Sequence, residues 1–237
     1  MTSCTLCGLI NTVRRCSRMS DFVSQFSKYE FTSEQVRLLE IQDHMRRTIN
    51  DVALLLAQTW HGFTLLRSHL ESERQSLLAQ LSEMFPPEEA ERHYNVVAQL
   101  LVPYHATEDF MLAPAHGTLR SFHTDTTPDS PHLRTLTSSL LIALNAYWEH
   151  TWRPNISAAI GRPNKENWIQ SDFWGEVCKI RDCILHNKAI ANKDYEKRAK
   201  ILKWFKEGDS IQITSAMFTT FISQSRAFCE SFVAEIL

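Results

Sequence analysis

Arg181 and His186 stand five residues apart, with Asp182 directly after the arginine and Asn187 directly after the histidine. A guanidinium grips a phosphate with a planar fork of donors and offsets charge that grows in a transition state. An imidazole titrates near neutrality and can give or take a proton. Lys179, Lys188 and Lys193 flank them, and from Lys179 to Lys206 there are nine Lys or Arg against three Asp or Glu, in a chain of net charge −2. That local surplus favours a phosphate-bearing ligand, while a basic helix face turned to water has the same composition.

Asp172–His186 has the apolar period of a helix, and Ser171-Asp172 can cap its start. With about 100° per residue, Phe173, Val177, Ile180 and Ile184 fall together, and Trp174, Leu185 and Cys178 widen the arc. Arg181 falls inside it. An unpaired charge there is costly, so either the arc is split between a core and a second interface, or Arg181 has its own acceptor. Glu149, on the preceding helix, is the candidate. His186 lies about 140° around the wheel from Arg181, so the two do not converge on one helix. They converge where two copies of the helix face each other across a two-fold axis. Asn187 suits a helix end, and the negative end of the dipole there favours a charged His186.

The elements that must position these groups are nearly all helical. The 237 residues are 43% apolar with 6 Gly and 8 Pro, a composition for one large domain or two small ones with a real core. Thr32 and Gln35 have capping-box spacing. Val36, Leu39, Met45, Ile49, Val52 and Leu56 then recur at helical spacing, as one very long helix or two broken near Gly62. Pro86-Pro87-Glu88-Glu89 starts the next helix, expected to stop near Pro103. Thr124–Pro131 reads as a loop and marks the main internal boundary. A helix is expected over 132–150, with Pro154 kinking or breaking the chain. Gly161–Asn164 and Gly208-Asp209 are turns, Ile211–Thr214 alternates like a short strand, and a last helix runs from Ser215 to Ile236. Residues 1–30 are expected to be a disordered leader, 31–130 a helical region of unassigned role, and 131–237 the domain that carries the motif.

Other chemistries are weaker. Cys4 and Cys7 have half the spacing of a zinc knuckle and lack a second pair, and the histidines of the first half form no HxxxH or HExxH pair. No metal and no cofactor are therefore expected. Met1–Cys16 lacks the apolar core of a signal peptide, and no apolar run is long enough to span a bilayer, which points to a reducing cytoplasm. Trp148, Trp152, Trp168, Trp174 and Trp204 are expected in core packing rather than base stacking. Tyr195, Lys193 and Lys197 are expected on a solvated surface.

The Arg-x4-His-Asn pattern resembles the signature of HEPN domains, in which a polar residue, here Asp182, comes after the arginine. Tyr147-Trp148-Glu149 with Arg153-Pro154 resembles the segment ahead of the motif helix in bacterial HEPN-like families. Asp172–Glu176 resembles the lead-in to that helix, and Trp204–Asp209 resembles the segment beyond its end. The likeness covers Leu133 to Leu237. It implies an all-α bundle, here with an extra N-terminal helical region and at most one short β-hairpin, that forms a homodimer through the motif helices. It also implies a metal-independent endoribonuclease used in bacterial antiphage defence or as a toxin, with an antitoxin or defence partner and no membrane. In that scheme His186 moves a proton at the ribose 2′-OH or the leaving 5′-oxygen. Arg181 holds the phosphate, Asp182 tunes the pair, and Glu149 and Asn187 support them. Lys179, Lys188 and Lys193 touch RNA. A HEPN-like module that has lost catalysis and docks a protein or nucleotide is the alternative.

Overall fold

The computed structural model describes residues 32–97, 101–103, 116–118, 127, 129–163 and 169–236. The leader with Cys4 and Cys7, most of the loop at 124–131 and Trp168 lie outside the described residues. The fold is all-α. Helix α1 (Ser33–Met84) is followed by α2 (Pro87–Val97), the short strands β1 (Leu101–Pro103) and β2 (His116–Thr118), and α3 (Pro131–Tyr147). A π-helical turn (Trp148–Trp152) leads into α4 (Arg153–Ala159), then α5 (Asp172–His186), α6 (Lys193–Arg198) and α7 (Ser215–Ile236). Strands β1 and β2 pair antiparallel, with Val102 opposite Gly117.

The chain divides into two compact units. The first is Met1–Ala53, Ser139–Gln212 and Ala216–Leu237; the second is Leu54–Ser138 with Ile213–Ser215. Helix α1 begins with the reciprocal capping box: Thr32 N–H donates to Gln35 Oε1 at 3.1 Å, and Gln35 N–H donates to Thr32 Oγ1 at 3.2 Å. The helix then runs unbroken through Gly62.

In the first unit, Leu38, Met45 and Ile49 of α1 are fully buried, as are Leu141, Leu144 and Trp152. An aromatic cluster joins the π turn, α5 and α7. Trp148 stacks on Trp174 with ring centroids 5.4 Å apart, and Phe228 meets Trp148 edge-on. Phe173 stacks on Phe221 at 5.8 Å. Contacts of this kind contribute about 0.5–1.5 kcal/mol each beyond their buried area. The tryptophans at 148, 152 and 174 are thus core residues. His44 belongs to the packing as well, since its Nδ1 accepts from Trp152 Nε1 at 3.3 Å.

In the second unit, α2 returns along the end of α1. Arg74 donates to Glu91 at 3.1 Å and lies over the ring of Tyr94, and Ala90 is buried. Asp129 Oδ1 accepts the N–H of Ser215 at 2.8 Å, and Thr137 Oγ1 donates to the carbonyl of Ile213 at 2.6 Å.

Two local expectations are corrected. Of the kink or break expected at Pro154, the break does not occur. Pro154 sits in the first turn of α4, where its missing N–H is tolerated, directly after the wider π turn. Ile211–Thr214 is not a strand. Ile211 and Ile213 are buried, so the alternation reflects which side chains face inward, and among the described residues the only bridge nearby joins Ile190 to Ser210.

Candidate functional site

Ser171 Oγ accepts the N–H of Trp174 at 3.2 Å and starts α5, as its sequence position predicts. The helix buries Phe173, Trp174, Val177, Ile180 and Cys183. One flank of it meets Glu149 in the π turn. Arg181 Nη2 donates to Glu149 Oε2 at 2.8 Å, and Nη1 donates to Asp182 Oδ1 at 2.7 Å. The Cys178 thiol donates to Glu149 Oε1 at 3.3 Å. The dedicated acceptor anticipated for Arg181 is therefore Glu149, reinforced by Asp182. The Arg181 side chain is 24% exposed, so the ion pair sits at the surface edge of the bundle.

His186 occupies the last turn of α5 and is exposed. Among the described residues it makes no hydrogen bond or ion pair, with Arg181 or otherwise. Asn187 is the C-cap residue; its N–H donates to Cys183 O, and its side-chain amide donates to Ile190 O at 2.6 Å. The chain then turns through Lys188 and Ala189, both at positive φ. So Arg181, Asp182, Glu149 and Cys178 come together within one chain, and His186 stands apart from them.

The lysines divide as well. Lys179 bonds Asp194 at 2.7 Å and lies 3.8 Å from Asp182. The hydrogen bond that Lys179 donates to Asp194 raises the Lys179 pKa and lowers that of Asp194. Lys188 and Lys193 are exposed and have no ion-pair partner among the described residues. Tyr195, expected at the surface, is fully buried, and burial pushes its hydroxyl up to about 12.

Burial, with the carboxylates of Glu149 and Asp182 beside it, pushes the Cys178 thiol up to about 11. A thiol is nucleophilic as its thiolate, so Cys178 is a donor to Glu149 at neutral pH. Iodoacetamide at about pH 8 is expected to leave it unmodified for hours, against minutes for a free thiol. Peptide mapping across a pH series checks this. Rapid modification near neutrality would contradict the assigned burial and charge environment.

Glu176 is the residue that the sequence pattern did not single out. It is fully buried. Its Oε2 accepts the backbone N–H groups of Lys200, Ile201 and Leu202 at 2.8–3.0 Å. Its Oε1 accepts from Lys203 N at 2.7 Å and from the Tyr195 hydroxyl, and that hydroxyl accepts from Trp204 N. The signal was weak: Glu176 falls about 60° from Phe173 on the wheel, on the side away from Trp174 and Cys178, beyond the edge of the apolar arc and beside the buried Cys183. A carboxylate there needs donors, and the next segment supplies them.

Among the described residues no group of three His, Cys, Asp or Glu could hold a metal ion, and no helix is long and apolar enough to cross a membrane. Compared with family models, curated proteins and solved structures, the chain matches none.

Proposed function

We propose that this chain is a metal-independent endoribonuclease of the HEPN kind, acting in bacterial defence or as a toxin, with an active site completed where two α5 helices meet. The observation that carries the reading is the pairing on one helix of a held guanidinium at the surface edge with an exposed histidine that has no partner among the described residues. The ribose 2′-oxygen attacks the adjacent phosphorus, and the bond from phosphorus to the 5′-oxygen breaks. One proton leaves the 2′-OH and one reaches the 5′-oxygen; His186 carries one of these transfers. Arg181 offsets the charge on the phosphoryl oxygens. Lys188 and Lys193 lie open to the RNA backbone, whereas Lys179 is held by Asp194.

The experiment is cleavage of RNA by the purified chain in EDTA. Product ends carrying a 2′,3′-cyclic phosphate are expected, and His186→Ala is expected to lower the rate about 10²–10⁴-fold. Equal cleavage by the two proteins removes the ribonuclease reading. A second reading has its own support. Both terminal amines of Arg181 are already engaged by carboxylates, so a phosphate must compete with them. A non-catalytic HEPN-like module that docks a protein or nucleotide fits that arrangement. It predicts no cleavage by the wild-type chain, with a loss of stability in Arg181→Ala.

A further inference from the structure

Helix α1 is 52 residues long, about 78 Å at 1.5 Å per residue, several times the length of an average globular helix. Along it, apolar residues recur with alternating spacings of three and four. Met45, Ile49, Val52, Leu56, Phe63, Leu66 and Leu70 fall on this repeat, with Thr59 filling the position between Leu56 and Phe63, and Glu73 at the next position ends the apolar run. A repeat of 3.5 residues keeps one seam turned toward a neighbouring helix that supercoils around it, whereas a helix lying on a globular core has a period of 3.6. The first part of the seam is filled within the first unit: Met45 and Ile49 are fully buried. From Val52 to Leu70 every seam position is only half-buried. The flanks there are apolar too: Leu55 is 47% exposed and Trp60 36%. Thr59 ties its hydroxyl back to the Leu55 carbonyl at 2.9 Å, which lets its methyl group face the seam without an unmet donor. Leu54 and Leu65 are exposed on the opposite side and take no part.

We propose that the α1 face from Val52 to Leu70 is a coiled-coil seam that pairs with the same face of a second copy of this chain. The repeat itself selects the occupant. A heptad seam is covered by another heptad seam, and the shorter three-and-four runs of the other helices, such as Phe173, Val177 and Ile180 of α5 or Phe218, Phe221 and Phe232 of α7, are already buried. In a parallel, in-register pair each position meets its own copy. Leu55 then lies across from Trp60 of the second copy, and Gly62 lies across from its Arg67, so the flanks close on apolar contact and no like charges meet at those two crossings. Antiparallel pairing instead sets Arg46, Arg67 and Arg74, which share one flank, along the same flank of the other copy. The free seam covers about two and a half heptads, a small interface with affinity on the order of micromolar. The pairing stands apart from the ribonuclease reading, although it would raise the local concentration of one Arg181–His186 helix at the other.

Sedimentation equilibrium of the full chain from about 1 to about 100 µM should show a reversible monomer–dimer equilibrium. Leu56→Asp with Phe63→Asp should give a monomer throughout that range with unchanged helical content. Separately, Thr59→Cys should form a disulfide-linked dimer under mild oxidation, beyond the level given by the native cysteines in the wild-type chain. This second variant decides the matter if the first fails to fold. A wild-type chain monomeric at every concentration overturns the proposal, because the seam is then covered by its own chain or left in solvent. So does a dimer that survives both aspartates, or a Thr59→Cys chain that links no faster than wild type. None of these outcomes depends on RNA cleavage.

Discussion

Glu176→Ala is expected to destabilise the chain by about 3–5 kcal/mol, close to what breaking a buried charged network costs. The carboxylate is fully buried and accepts four successive backbone N–H groups, from Lys200 to Lys203, together with the Tyr195 hydroxyl. Removing it leaves those donors without an acceptor, and the Leu202 amide is among the most enclosed. Glu176→Gln is expected to cost less. Its carbonyl oxygen can keep the three bonds at the Oε2 position, while its amide group faces the Lys203 N–H, donor against donor. The ordering Ala, then Gln, then wild type should appear as denaturation midpoints in urea at constant slope. Equal midpoints for all three would mean that the 200–203 segment is held by something else. Lys203 adopts positive φ within that segment, a conformation that L-residues keep only where surrounding contacts enforce it. The Glu176 bonds are the contacts that do so here.

The same carboxylate shows where the sequence was readable and where it was not. Capping positions were legible because they act over three residues: Thr32 with Gln35, and Ser171 with Trp174, both close as their spacing requires. The extent of α5 was legible from its apolar period. The Arg181–Glu149 pair was legible too, because a charge inside an apolar arc demands a partner and the preceding helix offered one. Glu176 lies beyond the edge of that arc, and its partners are backbone N–H groups, which nearly every residue carries and no side-chain pattern marks. Pro154 left two outcomes open, a kink or a break, for a related reason. Proline forbids one hydrogen bond in an α-helix, yet sequence does not say whether the chain stops or widens by one residue, and here it widens at Trp148–Trp152. The separation of His186 from Arg181 was visible on the wheel.

Arg181 is where the two functional readings part most sharply, and three variants separate them. Arg181→Ala leaves the Glu149 and Asp182 carboxylates, which its guanidinium bridges, without a cation. Both carboxylates are partly exposed, so water takes up much of the loss, and the expected destabilisation is about 1–2 kcal/mol after solvent screening. On the ribonuclease reading the same variant also loses its phosphate grip, with cleavage falling about 10²–10³-fold. The alanine variant alone cannot divide the two effects. Arg181→Lys can. An ammonium keeps the positive charge between the carboxylates and much of the stability, but it lacks the planar fork needed to hold Glu149, Asp182 and a phosphoryl oxygen in fixed directions. Near-wild-type stability with cleavage lowered at least about tenfold, mostly in kcat, is therefore expected. Glu149→Gln supplies the reciprocal. It retains an acceptor for Arg181 while removing one of the two charges that compete with phosphate, so KM for RNA should fall even where kcat drops. An Arg181→Lys chain with full cleavage and full stability would reduce Arg181 to a structural cation and leave His186 without a phosphate-binding partner on its own helix.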